Sequence, residues 1–361
     1  MENIIQSVSI KNFKSIKELD FECKKVNVFI GKPNVGKSNI LEALSLFAFP
    51  IANSFDINKF LRLKTMKNLF NDNITKQNIE VKLKGGVVDF QAAYIIEHNP
   101  FHYEFYIGDP GYPNELQIIR NDGAPNGRYQ IPNELLPKLK ARFFLKQDGT
   151  GDPTTSTVAQ YDILIRNYQF ANNINFSQNF RPFLLPPDGR NLATILQDNN
   201  NLFNEIQGFF EEYGFELLVD VDKNEFEIQK RVEKRVYKYP FELMADTLQR
   251  IIFYLAAIES NSSAAIIFEE PETHSFPPYI STIARRINMD QTNQFFISTH
   301  SPYLLNTLIE ETNFDNLNVF ITYFENYQTK LRALENEELR EILDDSIDAF
   351  FNLDRFISTL K

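Results

Sequence analysis

The chain of 361 residues contains no tryptophan and a single cysteine. One cysteine excludes an intrachain disulfide, which fits a reducing, cytoplasmic setting. Cys23 follows an apparent strand and precedes Lys24-Lys25, so it reads as structural and not nucleophilic. No apolar run approaches the roughly 20 residues of a membrane span. The start, Met-Glu-Asn-Ile-Ile-Gln-Ser, lacks the basic and apolar regions of a signal peptide, so no membrane partner is expected. Heptads long enough for an extended coiled coil are missing, and so are internal repeats. Positive charge is in deficit: 37 Lys and Arg stand against 48 Asp and Glu, a net charge of −11. That balance argues against a uniformly basic nucleic-acid surface. The one basic run, Lys230 to Lys238, reads slightly better as the solvated face of a strand than as a nucleic-acid contact. The 34 phenylalanines accompany abundant Ile, Asn and Tyr. They read as compositional bias, and no stacking surface is drawn from them.

What is present suits a globular chain, with 43% hydrophobic and 24% charged residues. Its length allows one large domain or two ordinary ones. Gly31-Lys32-Pro33-Asn34-Val35-Gly36-Lys37-Ser38 fits the phosphate-loop pattern G-x-x-x-x-G-K-S/T. Val26, Val28, Phe29 and Ile30 form a short apolar run before it, as a buried strand would. Asn39-Ile40-Leu41-Glu42-Ala43-Leu44 after it reads as a helix start. A strand entering a glycine turn and leaving through a helix N-terminus makes an anion site, with N–H groups and the helix dipole facing the ligand. Gly31 and Gly36 allow close backbone approach, and Asn34 and Asn39 belong to the same cradle. Lys37 reaches the β- and γ-phosphates, and Ser38 supplies a hydroxyl for Mg²⁺. The ligand class is a nucleoside triphosphate. A chance match in a turn is the alternative, and the flanking strand and helix weigh against it.

A second apolar strand, Ala264 to Phe268, ends in Glu269-Glu270-Pro271-Glu272. Mg²⁺ takes oxygen ligands, commonly a carboxylate or two with phosphates and waters. Glu269 at the strand tip suits the metal shell, and Glu270 suits polarising an attacking water. Surface acids at a strand end are the plain alternative. Glu272 reads either as a further functional acid or as a residue shaping the turn. A third apolar strand, Gln294 to Ser298, leads into Thr299-His300-Ser301-Pro302. His300 reaches a γ-phosphate or attacking water if that strand neighbours the Glu270 strand. His98, His102 and His274 have no assigned role.

Along the chain, residues 1–30 read as antiparallel strands and the helix after the phosphate loop runs to about Phe47. Ile79 to Ile131 alternates short β-rich runs with turn signals such as Gly85-Gly86 and Asp122-Gly123, as a meander does. Residues 147–155 read as an exposed loop. Pro186-Pro187-Asp188-Gly189 is a turn before a helical pattern from Leu192 to Phe210. Phe215 to Val221 and Phe226 to Tyr239 read as a hairpin around Asp222-Lys223-Asn224. Asp220-Val221-Asp222 reads as turn chemistry and not as a metal pair. Ala245 to Ile258 is an apolar helix. Residues 336–361 read as helical and amphipathic, with acids from Glu335 to Asp348 opposite Leu339, Ile342, Leu343 and Ile347.

The phosphate loop, the strand-Glu-Glu-Pro-Glu-Thr-His and the strand-Ser-Thr-His-Ser-Pro, in that order, resemble the ABC-type ATPase heads of the RecF/SMC/OLD class. Ile10-Lys11-Asn12-Phe13-Lys14-Ser15-Ile16, Asn34 to Leu44 and Leu185 to Leu192 are similar to that class as well. The resemblance implies an α/β P-loop NTPase, an ABC-ATPase-like head with an antiparallel β subdomain and an α/β insertion. Residues 1–50 and 240–361 would form the head core, and 51–239 the β-rich subdomain and insertion. Lys37 and Ser38 match the Walker A lysine and serine. Glu269 stands where the Walker B aspartate usually is, Glu270 matches the catalytic glutamate, and His300 the switch histidine. Lys11, Asn12 and Phe13 resemble the strand beside the adenine, and Gln91 is the candidate for the Q-loop glutamine. One motif departs. The family's Ser-x-Gly signature before a helix is replaced by Met244-Ala245-Asp246-Thr247-Leu248-Gln249-Arg250, with neither serine nor glycine. Asp246 would repel a γ-phosphate unless it caps the helix, as Asp does well at an N-cap; the trans contact is then either lost or moved to Thr247 and Arg250.

The resemblance implies ATP and Mg²⁺ as ligands and a homodimer or higher oligomer with heads facing across the nucleotides. It implies DNA or a separate effector protein, such as a nuclease, as partner, in bacterial genome maintenance or phage defence. OLD nucleases carry a TOPRIM domain after the head, and the sixty or so residues after His300 are too few for one. An ATPase is thus expected, with an ATP-gated scaffold of very slow turnover as the alternative. A GTPase reading fails on guanine recognition, because no Asn-Lys-x-Asp tetrapeptide occurs.

Overall fold

The computed structural model describes residues 5–49, 56–85, 91–98, 103–108, 139–151, 157–158, 165–172, 176–177, 180–220, 223, 225–344 and 347–358. Gln91 and His98 lie in a strand whose side chains are outside the described set, and His102 and Asp222 are outside it altogether.

The chain opens with β1 (Ile5–Phe13) and β2 (Ile16–Glu22), then β3 (Val26–Ile30) and α1 (Lys37–Ser45). A run of strands follows: β4 (Ile79–Gly85), β5 (Gln91–His98), β6 (Tyr103–Gly108), β7 (Leu139–Leu145), β8 (Thr157–Val158) and β9 (Ile165–Tyr168). Next come α2 (Leu192–Asp198), α3 (Asn200–Glu211), β10 (Glu216–Asp220), β11 (Glu225–Val232) and β12 (Arg235–Pro240). The last third is α4 (Asp246–Glu259), β13 (Ala265–Glu269), α5 (Pro277–Met289), β14 (Gln294–Ser298), α6 (Pro302–Glu311), β15 (Leu317–Glu325), β16 (Gln328–Ala333), α7 (Asn336–Asp344) and α8 (Leu353–Ser358).

The central sheet has the order β16-β15-β3-β14-β13-β9. Its strands pair in parallel except for the antiparallel β15–β16 pair. Strands buried on both faces are apolar throughout, which is why β3, β13 and β14 stood out as continuous runs. Val28, Ile266, Phe268, Phe295, Ile297 and Val319 point into one core, against α4, α5 and α6. Phe29, Ile267, Phe296 and Phe320 point into a second core on the opposite face. There α1 buries Ile40, Leu41, Ala43 and Leu44 beneath a second sheet, of order β2-β1-β4-β5-β6-β7-β8, antiparallel throughout. Gln294 ties the two sheets together. Its buried amide accepts from Ile5 N at 2.8 Å and donates to the carbonyls of Ile5 and Lys24, each at 2.8 Å.

Several sequence expectations change. Residues 1–30 are not all antiparallel: β1 and β2 are, but β3 crosses to the central sheet and runs parallel to β14 and β15. The helical pattern from Leu192 breaks at Asn199, whose side chain accepts from Leu202 N and caps α3. Residues 226–239 are two strands, not one, reversing at Glu233, where φ is 53°. The basic run therefore forms an exposed hairpin of a separate three-stranded sheet, β10-β11-β12. The C-terminal helical stretch is two helices, and Leu339 and Ile342 are buried as the amphipathic pattern required. Strand β9, from mid-chain, is an edge of the central sheet and pairs with β13. Strands β15 and β16 had no sequence reading at all. Cys23 is buried, and burial pushes its thiol pKa well up, as a structural role needs. Among the described residues no helix is long and apolar enough to cross a membrane.

Candidate nucleotide site

The loop between β3 and α1 is fixed from behind by residues far away in sequence. Gly31 (φ 153°) passes so close to β15 that a Cβ would lie 2.2 Å from the Thr322 carbonyl oxygen. Gly36 caps α1 in the left-handed region, with φ 104°. A Cβ there would lie 2.1 Å from Thr329 Oγ1, so both space and φ require glycine. Asn34, at φ 62°, takes a left-handed turn that asparagine tolerates. A directed hydrogen-bond chain supports the loop. Asn39 Nδ2 donates to Ser15 Oγ at 2.6 Å, Ser15 Oγ and Thr329 Oγ1 lie 2.6 Å apart, and Thr329 Oγ1 donates to the Val35 carbonyl at 2.8 Å. Asn39 thus braces the loop from the helix side.

Lys37 is buried, and its ammonium donates to the Gly31 and Lys32 carbonyls at 2.9 and 3.0 Å. Burial lowers its pKa, while Glu270, Glu269 and Glu272 oppose that shift. A desolvated cation folded back on loop carbonyls, at a helix end with no side-chain cap, is suited to receive a phosphate. Ser38 is half-buried on the next turn position of α1.

The acids arrive through strand register. Glu269 on β13 sits opposite Ser298 on β14, and Ser298 opposite Phe29 on β3, the strand that feeds the loop. Strand β14 lies between the other two, the order that brings His300 to Glu270. Glu270 has φ 45°, its N–H donates to the Ser298 carbonyl at 2.9 Å, and its Oε1 lies 3.5 Å from His300 Nε2. Both side chains are about two-fifths exposed, open to a ligand. Burial and then Lys37 lower the His300 pKa, with Glu270 opposing, which favours the neutral imidazole.

Glu272 turns out to shape the histidine turn. Its Oε1 accepts from Thr299 Oγ1 at 2.8 Å and from His300 N at 2.7 Å. Its Oε2 is buried without a partner, and burial raises the carboxyl pKa. Glu269 has its own counter-ion. Arg62 Nη2 donates to Glu269 Oε1 at 2.9 Å while Arg62 Nε donates to Glu42 Oε1 at 2.9 Å. Lys14 completes the group by pairing with Glu42. Arg62 carried no sequence signal for this site, and Glu42 was read only as part of the helix after the loop.

Lys37, Ser38, Glu269, Glu270 and His300 thus gather at one end of the central sheet. Lys11 and Phe13 do not join them. Phe13 is fully buried in the second core, with no face open to a base, and Lys11 is exposed and pairs with Glu18 at 2.6 Å. The departed signature also has a structure. Ala245, not Asp246, is the N-cap of α4. Asp246 Oδ2 accepts from Arg250 Nε at 2.7 Å, and Thr247 Oγ1 accepts from Phe276 N at 3.0 Å. All three side chains are engaged within the chain.

Comparison with known proteins matches residues 26–306 to the family AAA_21, described as "AAA domain, putative AbiEii toxin, Type IV TA system". The chain is 22% identical to a Helicobacter pylori protein named "ATP/GTP phosphatase", over 93% of each. A 45-residue stretch is 49% identical to the uncharacterized protein MJECL10 of Methanocaldococcus jannaschii, covering 12% of this chain and 20% of that one. Among solved structures, an SMC head bound to the C-winged helix domain of ScpA aligns with 94% of this chain and 100% of its own, at TM-score 0.53 and 15% identity. That likeness is one of fold, and it agrees with the ABC-type head expected from the motifs.

Proposed function

The chain belongs to this AAA-domain family, and from that premise we propose that it binds ATP with Mg²⁺ and hydrolyses it to ADP and phosphate. The observation carrying this reading is the convergence of Lys37 with Glu269, Glu270 and His300 across three adjacent parallel strands. The loop N–H groups and the Lys37 ammonium bind and orient the phosphates. Ser38 and Glu269 would hold the metal, which neutralises charge developing on the phosphate oxygens. Glu270, exposed at the strand end, takes the proton of the attacking water. His300, favoured in its neutral form and 3.5 Å from Glu270, orients that water and the γ-phosphate end of the site. The name of the Helicobacter pylori relative supports a nucleoside triphosphate phosphatase of either base. The missing guanine tetrapeptide favours adenine.

The finer reading is that two heads associate across the nucleotides and that nucleotide state controls DNA or a separate effector protein. A defence role is in keeping with the toxin–antitoxin wording of the family description. An ATP-gated scaffold with very slow turnover is the second reading. The observation favouring it is that Asp246, Thr247 and Arg250 are all engaged within the chain.

The binding step is tested with Lys37→Ala. A charge-assisted contact is worth roughly 1.5–3 kcal/mol, so ATP affinity should fall about ten- to hundredfold by calorimetry. Equal affinity in both proteins contradicts the assignment of the phosphate loop.

A further inference from the structure

The acid assigned to the metal already holds a cation of the chain's own. Arg62 forks between two carboxylates. Nε donates to Glu42 Oε1 and Nη2 to Glu269 Oε1, both at 2.9 Å. Glu42 is buried on α1, one turn beyond Ser38, and its other oxygen receives Lys14. Lys14 Nζ also donates to the Arg62 carbonyl at 2.8 Å. Two cations and two carboxylates form a neutral unit linking the β1–β2 turn, α1, the 56–70 segment and the end of β13.

The two ends of the fork differ. The Glu42 end is anchored, because that carboxylate is 4% exposed and shared with Lys14. The Glu269 end is free to part, because Glu269 is 24% and Arg62 67% exposed. A dication at Glu269 and a guanidinium on the same oxygen repel, and only one of them gains by staying. We propose that Arg62 is a displaceable counter-ion of Glu269. It neutralises and orients this carboxylate before metal and nucleotide bind, and swings off it when a divalent cation takes the acid, remaining tethered to Glu42. This deepens the nucleotide-site reading and rests on Glu269 being the metal acid. Arg62 is thereby a positioning residue that raises the Mg²⁺ concentration the site requires.

The test measures ATP binding by calorimetry across a Mg²⁺ series in wild type, Arg62→Ala, Glu269→Gln and the double variant. Thermal melts check folding, and Arg62→Gln, which keeps most of the side-chain length, replaces the alanine if that protein does not fold. Removing a competing, partly exposed ion pair should lower the half-saturating Mg²⁺ by roughly two- to fivefold. Glu269→Gln should raise it. In the Glu269→Gln background Arg62→Ala should change nothing, because the competed acid is gone. A Mg²⁺ requirement that rises or stays the same in Arg62→Ala, with Glu269→Gln still raising it, overturns the counter-ion role alone. If Glu269→Gln leaves the requirement unchanged, the metal assignment falls and the proposal falls with it.

Discussion

At the residue scale, the least obvious participant is Glu272. A carboxylate with one oxygen satisfied by Thr299 and His300 and the other buried without a partner is costly to ionise. Burial raises its pKa above the ordinary value of 4.5. A raised native-state pKa means that this group's contribution to stability is full below about 4.5 and is lost as pH rises through the native value. Glu272→Gln keeps an acceptor for Thr299 and His300 and cannot ionise. Its stability relative to wild type should therefore improve as pH rises from 4.5 towards neutrality, read as melting temperature against pH. A difference between the two proteins that is flat in pH would contradict the assignment. The sequence left Glu272 between a functional acid and a turn residue, because its contact with Thr299, 27 residues on, leaves no local pattern. The Arg62–Glu269 pair, 207 residues apart, was hidden for the same reason.

At the scale of elements, the phosphate loop, α1, β13 and β14 were legible, and the hairpin behind them was not. A glycine-rich loop has a fixed spacing, and strands buried on both faces give unbroken apolar runs. Strands β15 and β16 alternate less cleanly and announce no motif, although they make the wall against which the loop is shaped. Thr329 is fully buried there and connects Ser15, in the β1–β2 turn, to the Val35 carbonyl. Thr329→Val preserves volume, leaves the Val35 carbonyl without its donor and removes the acceptor of the Ser15 hydroxyl, which still receives Asn39, a loss of roughly 1–3 kcal/mol. The melting temperature should drop and ATP affinity should weaken together. A lowered melting temperature with unchanged ATP affinity would mean that the hairpin supports the fold and not the loop. Phe13 shows the opposite limit of sequence reading. A motif likeness suggested a place beside the base, and its ring is instead sealed in the core between the sheets.

At the scale of the molecule, two sheets sandwich α1, and the site opens where β3, β13 and β14 end together. A head with an antiparallel β subdomain was implied by the family resemblance. The mid-chain strand β9 joining the central sheet was not, since four residues at an edge leave no periodic trace. An oligomer that closes over nucleotide should form most readily when ATP stays intact. Light scattering of Glu270→Gln with Mg²⁺ and ATP should show a dimer or larger species that nucleotide-free protein lacks. A monomer under both conditions contradicts facing heads and favours a head that acts singly on its partner. In that case Asp246 and Arg250, paired with each other on α4, are structural and not trans-acting.

We propose that ATP is hydrolysed at the end of the central sheet, with Glu270 activating the water. Single-turnover ATP hydrolysis by wild type and Glu270→Gln, at ATP concentrations that saturate both, tests it most directly. An amide keeps the shape and removes the base, so the rate should fall about 10²- to 10⁴-fold while ATP affinity holds. Turnover in the glutamine protein close to that of wild type would contradict the account and move the activating group to another residue.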